Sequence, residues 1–340
     1  VSQDIKQMSR PPKKATVKTP SQVTDKDIQK LDKELSKRNK GYLTYRYVST
    51  NKPIHRKILV LSCIHFPFQD QAMLDKAIAD NRDADVVVLN GDIMDQYSAS
   101  GFTQYKSVEL VHEYIMYIMA YEFIEYLAGI FPAVVLVKGN HDSRLDLYFG
   151  RRVDTSLQAF VETDLLAKIA RGEKYFHDGE RQEELEPIKN VIYNPGTEPY
   201  HTRIGRTIFI HPSKYVSAPM GTVIAAADHM ERRGEDFDCM CLGHTHYQGT
   251  IPRNRKLLVE TGCLGMLMDY QKQSRGFYTP QHSGYAIISQ DKDGRAIFDK
   301  SGHVYLGVTV EHKDDLAKRL PKVAKKKESK SSNTKGGKKT

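Results

Sequence analysis

The chain has little cysteine, four residues among 340, at positions 63, 239, 241 and 263. That is too few for a disulfide-stapled scaffold. Cys239 and Cys241 stand two apart in an apolar run, so in a strand they share a face and lie too close along the chain for an ordinary disulfide. A reducing, intracellular setting is expected, with a cytoplasmic localisation. Long apolar runs are lacking too: none reaches the length that spans a membrane, and no membrane partner is expected. No basic start leads into an apolar stretch and a small-residue cleavage site, which argues against a secretory signal. A solenoid-type repeat is also absent. With 39% hydrophobic residues, one large domain with a substantial core is expected.

Positive charge is scarce in the body of the chain and concentrated at its ends. Residues 1–57 hold 15 Lys/Arg and 5 Asp/Glu, a net of +10, and residues 313–340 hold 11 and 3, a net of +8. The remaining 25 basic and 34 acidic residues leave 58–312 at −9. We therefore divide the chain into a basic, partly disordered extension over 1–56, a folded domain over 57–312 and a Lys-rich disordered tail over 313–340. The tail cannot build a core. A short polar helix is expected at Thr24–Lys37. Such ends can hold a polyanion by screened attraction, so nucleic acid is the expected macromolecular partner. The alternative is that they only solubilise.

Apolar runs with turn residues between them predict strands at Lys57–Ser62, Val86–Leu89 and Ala133–Val137, separated by helices at Gln71–Ala79 and Ser107–Ala128. This strand–helix alternation is that of a layered α/β fold. Further on, helices are expected at Leu157–Ile169 and Val223–Arg232. Strands are expected at Val191–Tyr193, Arg206–Ile210, Phe237–Leu242, Lys256–Glu260, Gly284–Ser289 and Ala296–Phe298, with a hairpin turn at Asp291–Gly294. The later strands predict a second, more antiparallel sheet packed on the first, with helices outside. Segments 98–130 and 171–204 are candidate cap or rim segments.

Five polar segments stand at or just after these apolar runs: Cys63-Ile64-His65, Asn90-Gly91-Asp92-Ile93-Met94-Asp95, Gly139-Asn140-His141-Asp142, His211 and Gly243-His244-Thr245-His246. In open α/β sheets, sites form at the carboxyl ends of strands. Carboxylate, amide oxygen and imidazoles together suit two divalent ions about 3.5–4 Å apart, which clamp phosphate oxygens and activate a water. Asp92 is the candidate bridging ligand, Asn140 offers an amide oxygen, and His65, His211, His244 and His246 offer imidazoles. His141 is adjacent to Asn140 and suits another role, stabilising the transition state or protonating a leaving oxygen, with Asp142 orienting its ring. Asp95 could support His65 or His141, and Arg144 could steady a phosphate through its forked donors. Singly, each segment reads as readily as a turn or a structural histidine; the five in this order do not.

In these segments, over about residues 57–305, the chain resembles the calcineurin-like metallophosphoesterases, with some likeness to members encoded in bacteriophage genomes. The family pattern is Asp-x-His, Gly-Asp-x-x-Asp, Gly-Asn-His-Asp/Glu, a later His, and Gly-His-x-His. The resemblance implies a four-layered α/β/β/α sandwich of two mixed sheets. It implies one ion held by residue 63, His65, Asp92 and His246, and a second by Asp92, Asn140, His211 and His244. Manganese, or zinc and iron, are the ions expected. A metal-activated hydroxide would attack phosphorus in line while His141 assists the leaving group. The departure is Cys63, where the family has aspartate. It could ligate and favour softer ions, could leave the first site weak, or could mark a protein that only binds.

Shared motifs do not fix the substrate. The basic ends favour a phosphodiesterase or nuclease acting on nucleic acid. A small-molecule or nucleotide phosphohydrolase is one alternative. A catalytically weakened metal- and nucleic-acid-binding protein is another. The oligomeric state stays open, a dimer among the options.

Overall fold

The computed structural model describes residues 52–101, 113–158, 160–175, 186–196, 200–267 and 281–308. The expected helix at Thr24–Lys37, the Lys-rich tail and parts of both candidate rim segments lie outside the described residues.

Strands β1 (Arg56–Leu61), β2 (Val86–Asn90), β3 (Val134–Val137) and β4 (Val191–Tyr193) run parallel as neighbours. Helix α1 (Gln71–Ala79) connects the first two strands and α2 (Glu113–Ile130) precedes the third. The second sheet holds β5 (Tyr200–Ile204), β6 (Thr207–His211), β7 (Cys239–Leu242), β8 (Gln248–Arg253) and β9 (Lys256–Thr261), in the order β5-β6-β7-β9-β8. The chain then returns to the first sheet as β10 (His282–Gln290), antiparallel to β1, and β11 (Gly302–Val308) at its edge. Both sheets are therefore mixed, and the late strands expected in the second sheet belong partly to the first.

Strand alternation builds the layers. Leu59, Leu61, Val87, Leu89, Val134 and Leu136 face α1 and α2, whose Leu74, Ile78, Tyr117, Tyr121 and Ile124 join the same core. The intervening residues Ile58, Val60, Val86, Val88, Val135 and Val137 pack against Phe209, Cys239, Cys241 and Val259 of the second sheet. On that sheet's outer face, Ile208, Ile210 and Met240 meet Val223, Ala227 and Met230 of α6 (Gly221–Arg232). Burial on both faces is why β1, β2 and β3 read as unbroken apolar runs. The result is the α/β/β/α sandwich.

Two expected elements are corrected. The single helix at Leu157–Ile169 is broken. Beyond α3 (Arg144–Arg152), a turn of helix α4 (Thr155–Gln158) ends early, and α5 (Leu165–Ala170) starts afresh where the Asp164 carboxylate accepts from Ala167 N at 3.1 Å. Ala296–Phe298 is not a strand. Ala296 makes one isolated bridge to Gln290, closing the turn at Asp291–Gly294, and Phe298–Lys300 is a 3-10 turn. Among the described residues, no helix is long and apolar enough to cross a membrane.

Candidate metal centre

The five segments meet at one end of the sandwich. Residues 62–65 leave β1, Gly91 and Asp92 leave β2, and Gly139 and Asn140 follow β3; His211 is the last residue of β6, and Gly243–His246 leave β7. Backbone bonds lock the loops together: Cys63 N donates to Gly91 O at 3.0 Å, His65 N to Asp92 O at 3.0 Å and Phe66 N to Ile93 O at 2.8 Å. Asn90 ties the sheets, its Nδ2 donating to Ile210 O and Cys241 O. Close approach needs glycine here. A Cβ on Gly91, which has φ +83°, would stand 2.1 Å from His211 Nδ1, and one on Gly139 would stand 2.2 Å from the Asp92 backbone N.

Cys63, His65, Asp92, His244 and His246 all have positive φ, between 53° and 89°. This left-handed conformation is uncommon for residues with a Cβ and is held only where the surroundings impose it. Five of the seven candidate ligands share it.

Donor atoms of Cys63, His65, Asp92 and His246 lie within 4.8 Å of one another, and so do those of Asp92, His211 and His244. Asp92 belongs to both sets: its Oδ2 is 3.1 Å from His211 Nε2 and 3.8 Å from His65 Nε2. Asn140 Oδ1 reaches His211 Nε2 at 3.2 Å and His244 Nδ1 at 2.8 Å.

The tautomers follow from the partners. His211 Nδ1 faces Asn90 O at 2.8 Å, a carbonyl that can only accept. His65 Nδ1 faces Asp95 Oδ1 at 3.2 Å. His246 Nδ1 faces Gln281 Oε1 at 2.8 Å, and Gln281 Nε2 donates to Gly265 O, which fixes that amide's orientation. All three Nδ1 atoms therefore carry the proton, which turns all three Nε2 atoms to the cluster. Yet His65 Nε2 and His246 Nε2, on two rings that burial keeps neutral, lie 3.2 Å apart, while His211 Nε2 pairs with Asp92 Oδ2 at 3.1 Å. Lone pairs turned on one another at this distance repel unless a cation lies among them. The donor set thus fits two clustered divalent-metal sites.

Charge agrees. Burial, then the neighbouring rings, lowers the His65, His244 and His246 imidazoles, His244 to about 4 and His246 to about 3, so they are neutral and ready to ligate near neutral pH. Burial also acts to raise Asp92, but His211, His141 and His65 hold it well below the usual carboxylate range.

Asp95, His65 and His141 form a third group that holds itself together by hydrogen bonds. Asp95 Oδ1 is 2.7 Å from His141 Nδ1 and also accepts from His65. Arg144 Nη1 donates to Asp95 O at 2.8 Å, while Nη2 stands 3.1 Å from His141 Nε2. Asp142 has a different place from the expected one. Its carboxylate accepts from Ile93 N, Met94 N and Gly139 N, fixing the two loops, and Asp95 is the residue at the His141 ring. Asn140, His244 and Arg144 are the half-buried members, on the side from which a substrate can enter.

Asn90, named in its segment, was given no role from sequence, and Gln281 was not singled out, although both set a ligand's tautomer. Asn90 offered a weak signal, a polar residue closing an apolar strand just before Gly91-Asp92. Gln281 offered none, being 35 positions from the ring it holds.

Two sheets with carboxylate, amide, thiol and imidazole donors on their strand ends define a metal-dependent phosphoesterase. The chain belongs to the calcineurin-like phosphoesterase family, whose pattern matches residues 56–248, more than half of its length. Among solved structures it is similar to a conserved protein of Streptococcus pneumoniae TIGR4 described as a predicted phosphoesterase. That match has 16% identity over 69% of this chain and 83% of that one, with a TM-score of 0.30. A metallophosphoesterase from Sphaerobacter thermophilus has 15% identity over 75% and 89%, with a TM-score of 0.36. A hypothetical protein from Pyrococcus horikoshii OT3 has 11% identity over 78% and 94%, with a TM-score of 0.41. No curated protein matches the chain. None of these findings supports a bacteriophage source.

Proposed function

We propose that this phosphoesterase is a phosphodiesterase or nuclease acting on nucleic acid. The observation that carries the reading is the charge distribution: a −9 body flanked by stretches of +10 and +8. An acidic catalytic domain repels a polyanion, and basic extensions hold one near it. Helix α3 adds support. It begins with Arg144 at the site and ends with exposed Arg151 and Arg152, Arg152 lying 3.9 Å over the Tyr148 ring.

In the mechanism we infer, Cys63, His65, Asp92 and His246 would hold one ion and Asp92, Asn140, His211 and His244 the other. Two bound divalent ions would supply a nucleophile from water and neutralise charge on the phosphate oxygens. The chain's own groups do the rest. Arg144 offers its guanidinium fork to the incoming phosphate and so withdraws from His141 Nε2. Asp95, bonded to Nδ1, holds the His141 ring so that Nε2, freed from Arg144, takes up a proton from solvent and passes it to the leaving oxygen. We also propose that parts of the segments 98–130 and 171–204, outside the helix and strands described above, contribute a rim to the site.

The test is cleavage of labelled single-stranded DNA, duplex DNA and RNA across a salt series, with the full chain and with residues 313–340 deleted. The reading expects metal-dependent cleavage that weakens with salt, and weaker binding after the deletion. Turnover of small phosphate esters alone, unaffected by salt or deletion, would move the assignment to a small-molecule phosphohydrolase.

A further inference from the structure

We propose that Cys63 coordinates as a thiolate and makes the centre chemically asymmetric, one site taking a thiophilic ion of the zinc or ferrous type and the other a harder ion of the manganese type. The inference rests on the dinuclear reading above.

The geometry of Cys63 separates it from the other cysteines. Its Sγ shares the 4.8 Å cluster with the His65, Asp92 and His246 donor atoms. Sγ accepts a hydrogen bond from His244 N at 3.2 Å. A sulfur grouped with a carboxylate and two imidazoles is placed to ligate, and an N–H donor on it would temper a thiolate's charge once metal is bound. Cys263 is the contrast within 200 positions of the same chain. Its Sγ donates to Cys63 O at 3.2 Å and accepts from Gly265 N at 3.2 Å, a fully satisfied neutral thiol. Cys239 and Cys241 lie in the apolar layer between the sheets, away from the cluster.

The second site, Asp92, Asn140, His211 and His244, offers only oxygen and imidazole. Sulfur on one side alone therefore biases the two sites towards different ions. Coordination replaces the S–H bond with a sulfur–metal bond and releases one proton to solvent.

Cobalt(II) is the probe. The metal-free full chain is titrated with Co²⁺ and its absorption recorded, together with Cys63→Asp, Cys63→Ser and His244→Ala, each checked for folding by circular dichroism. The proposal expects a near-ultraviolet sulfur-to-cobalt charge-transfer band in wild type and in His244→Ala, lost in both Cys63 variants. In parallel, the preference for Zn²⁺ over Mn²⁺ should fall on the order of 10-fold or more in Cys63→Asp. Visible cobalt absorption without the charge-transfer band in wild type, or a band that survives in the Cys63 variants, overturns the thiolate and leaves the dinuclear reading standing. Failure of wild type to bind cobalt at all overturns both.

Discussion

His141 Nδ1 stands 2.7 Å from Asp95 Oδ1, and the same carboxylate oxygen is 3.2 Å from His65 Nδ1. One buried carboxylate thus sets the tautomer of a candidate metal ligand and of the candidate proton donor. Burial works to raise the Asp95 carboxyl, but His141, His65 and Arg144 hold it well below the usual range, so it stays ionised throughout the working pH of the protein.

Asp95→Asn should therefore cost activity while the metal is still bound. We expect kcat to fall by about 10–100-fold, the usual cost of removing a group that orients a ligand. His141→Ala should cost about 100–10,000-fold, the range of a lost general acid. Both are read as hydrolysis of bis(p-nitrophenyl) phosphate at saturating metal. An unchanged kcat in His141→Ala would remove the ring from the chemistry.

Asp142 is expected to behave otherwise. Its carboxylate satisfies three backbone N–H groups, so Asp142→Ala leaves buried donors unpaired. A loss of about 1–3 kcal/mol for each unsatisfied group is expected in denaturant unfolding. A variant with wild-type stability and lost activity would return Asp142 to the His141 ring, as the sequence reading had it.

Gly139→Ala tests the packing of the centre. The added methyl would stand 2.2 Å from both the backbone N and Oδ1 of Asp92, so the bridging carboxylate must move. Loss of metal binding by calorimetry is expected, and full retention of two ions would contradict the geometry.

The metal-free protein should lose thermal stability as pH falls from 6.5 towards 4. His65, His244 and His246 titrate lower in the folded protein than their ordinary 6.5, by burial first and neighbouring rings second. The unfolded chain therefore takes up protons in this window that the folded chain refuses, and stability drops with pH. Asp142, raised by burial and Asp92 to about 6, and Glu260 and Asp238, raised by burial, oppose the trend, against the larger lowering of His244 and His246. His211, raised by Asp92 despite burial, titrates above the window. A Tm that stays flat or rises between pH 6.5 and 4.5 would contradict the assignment of neutral imidazoles.

Much of the site was legible because each ligand follows an apolar strand buried on both faces. Val86–Leu89 and Ile58–Leu61 announce themselves as strands, and the polar residues just beyond them can only lie at the sheet's carboxyl edge. What was not legible is what long-range pairing decides. β5, β8 and β11 are edge strands with half-exposed residues, and β8 carries Pro252, so their sequences lack strand periodicity. The return of β10 to the first sheet is set by its pairing with β1 across more than 200 residues. Gln281 lies only 35 positions from His246, but no local pattern ties it to that ring. Local pattern favoured one helix over Leu157–Ile169, and the Asp164 cap broke it.

The most direct test of the central claim is hydrolysis of bis(p-nitrophenyl) phosphate by metal-free protein as Mn²⁺ or Zn²⁺ is titrated in. The account predicts no turnover without metal and activity that saturates at two ions per chain, abolished in Asp92→Asn, where the shared carboxylate is lost. Turnover that is independent of added metal, or that saturates at one ion and survives in Asp92→Asn, would contradict it.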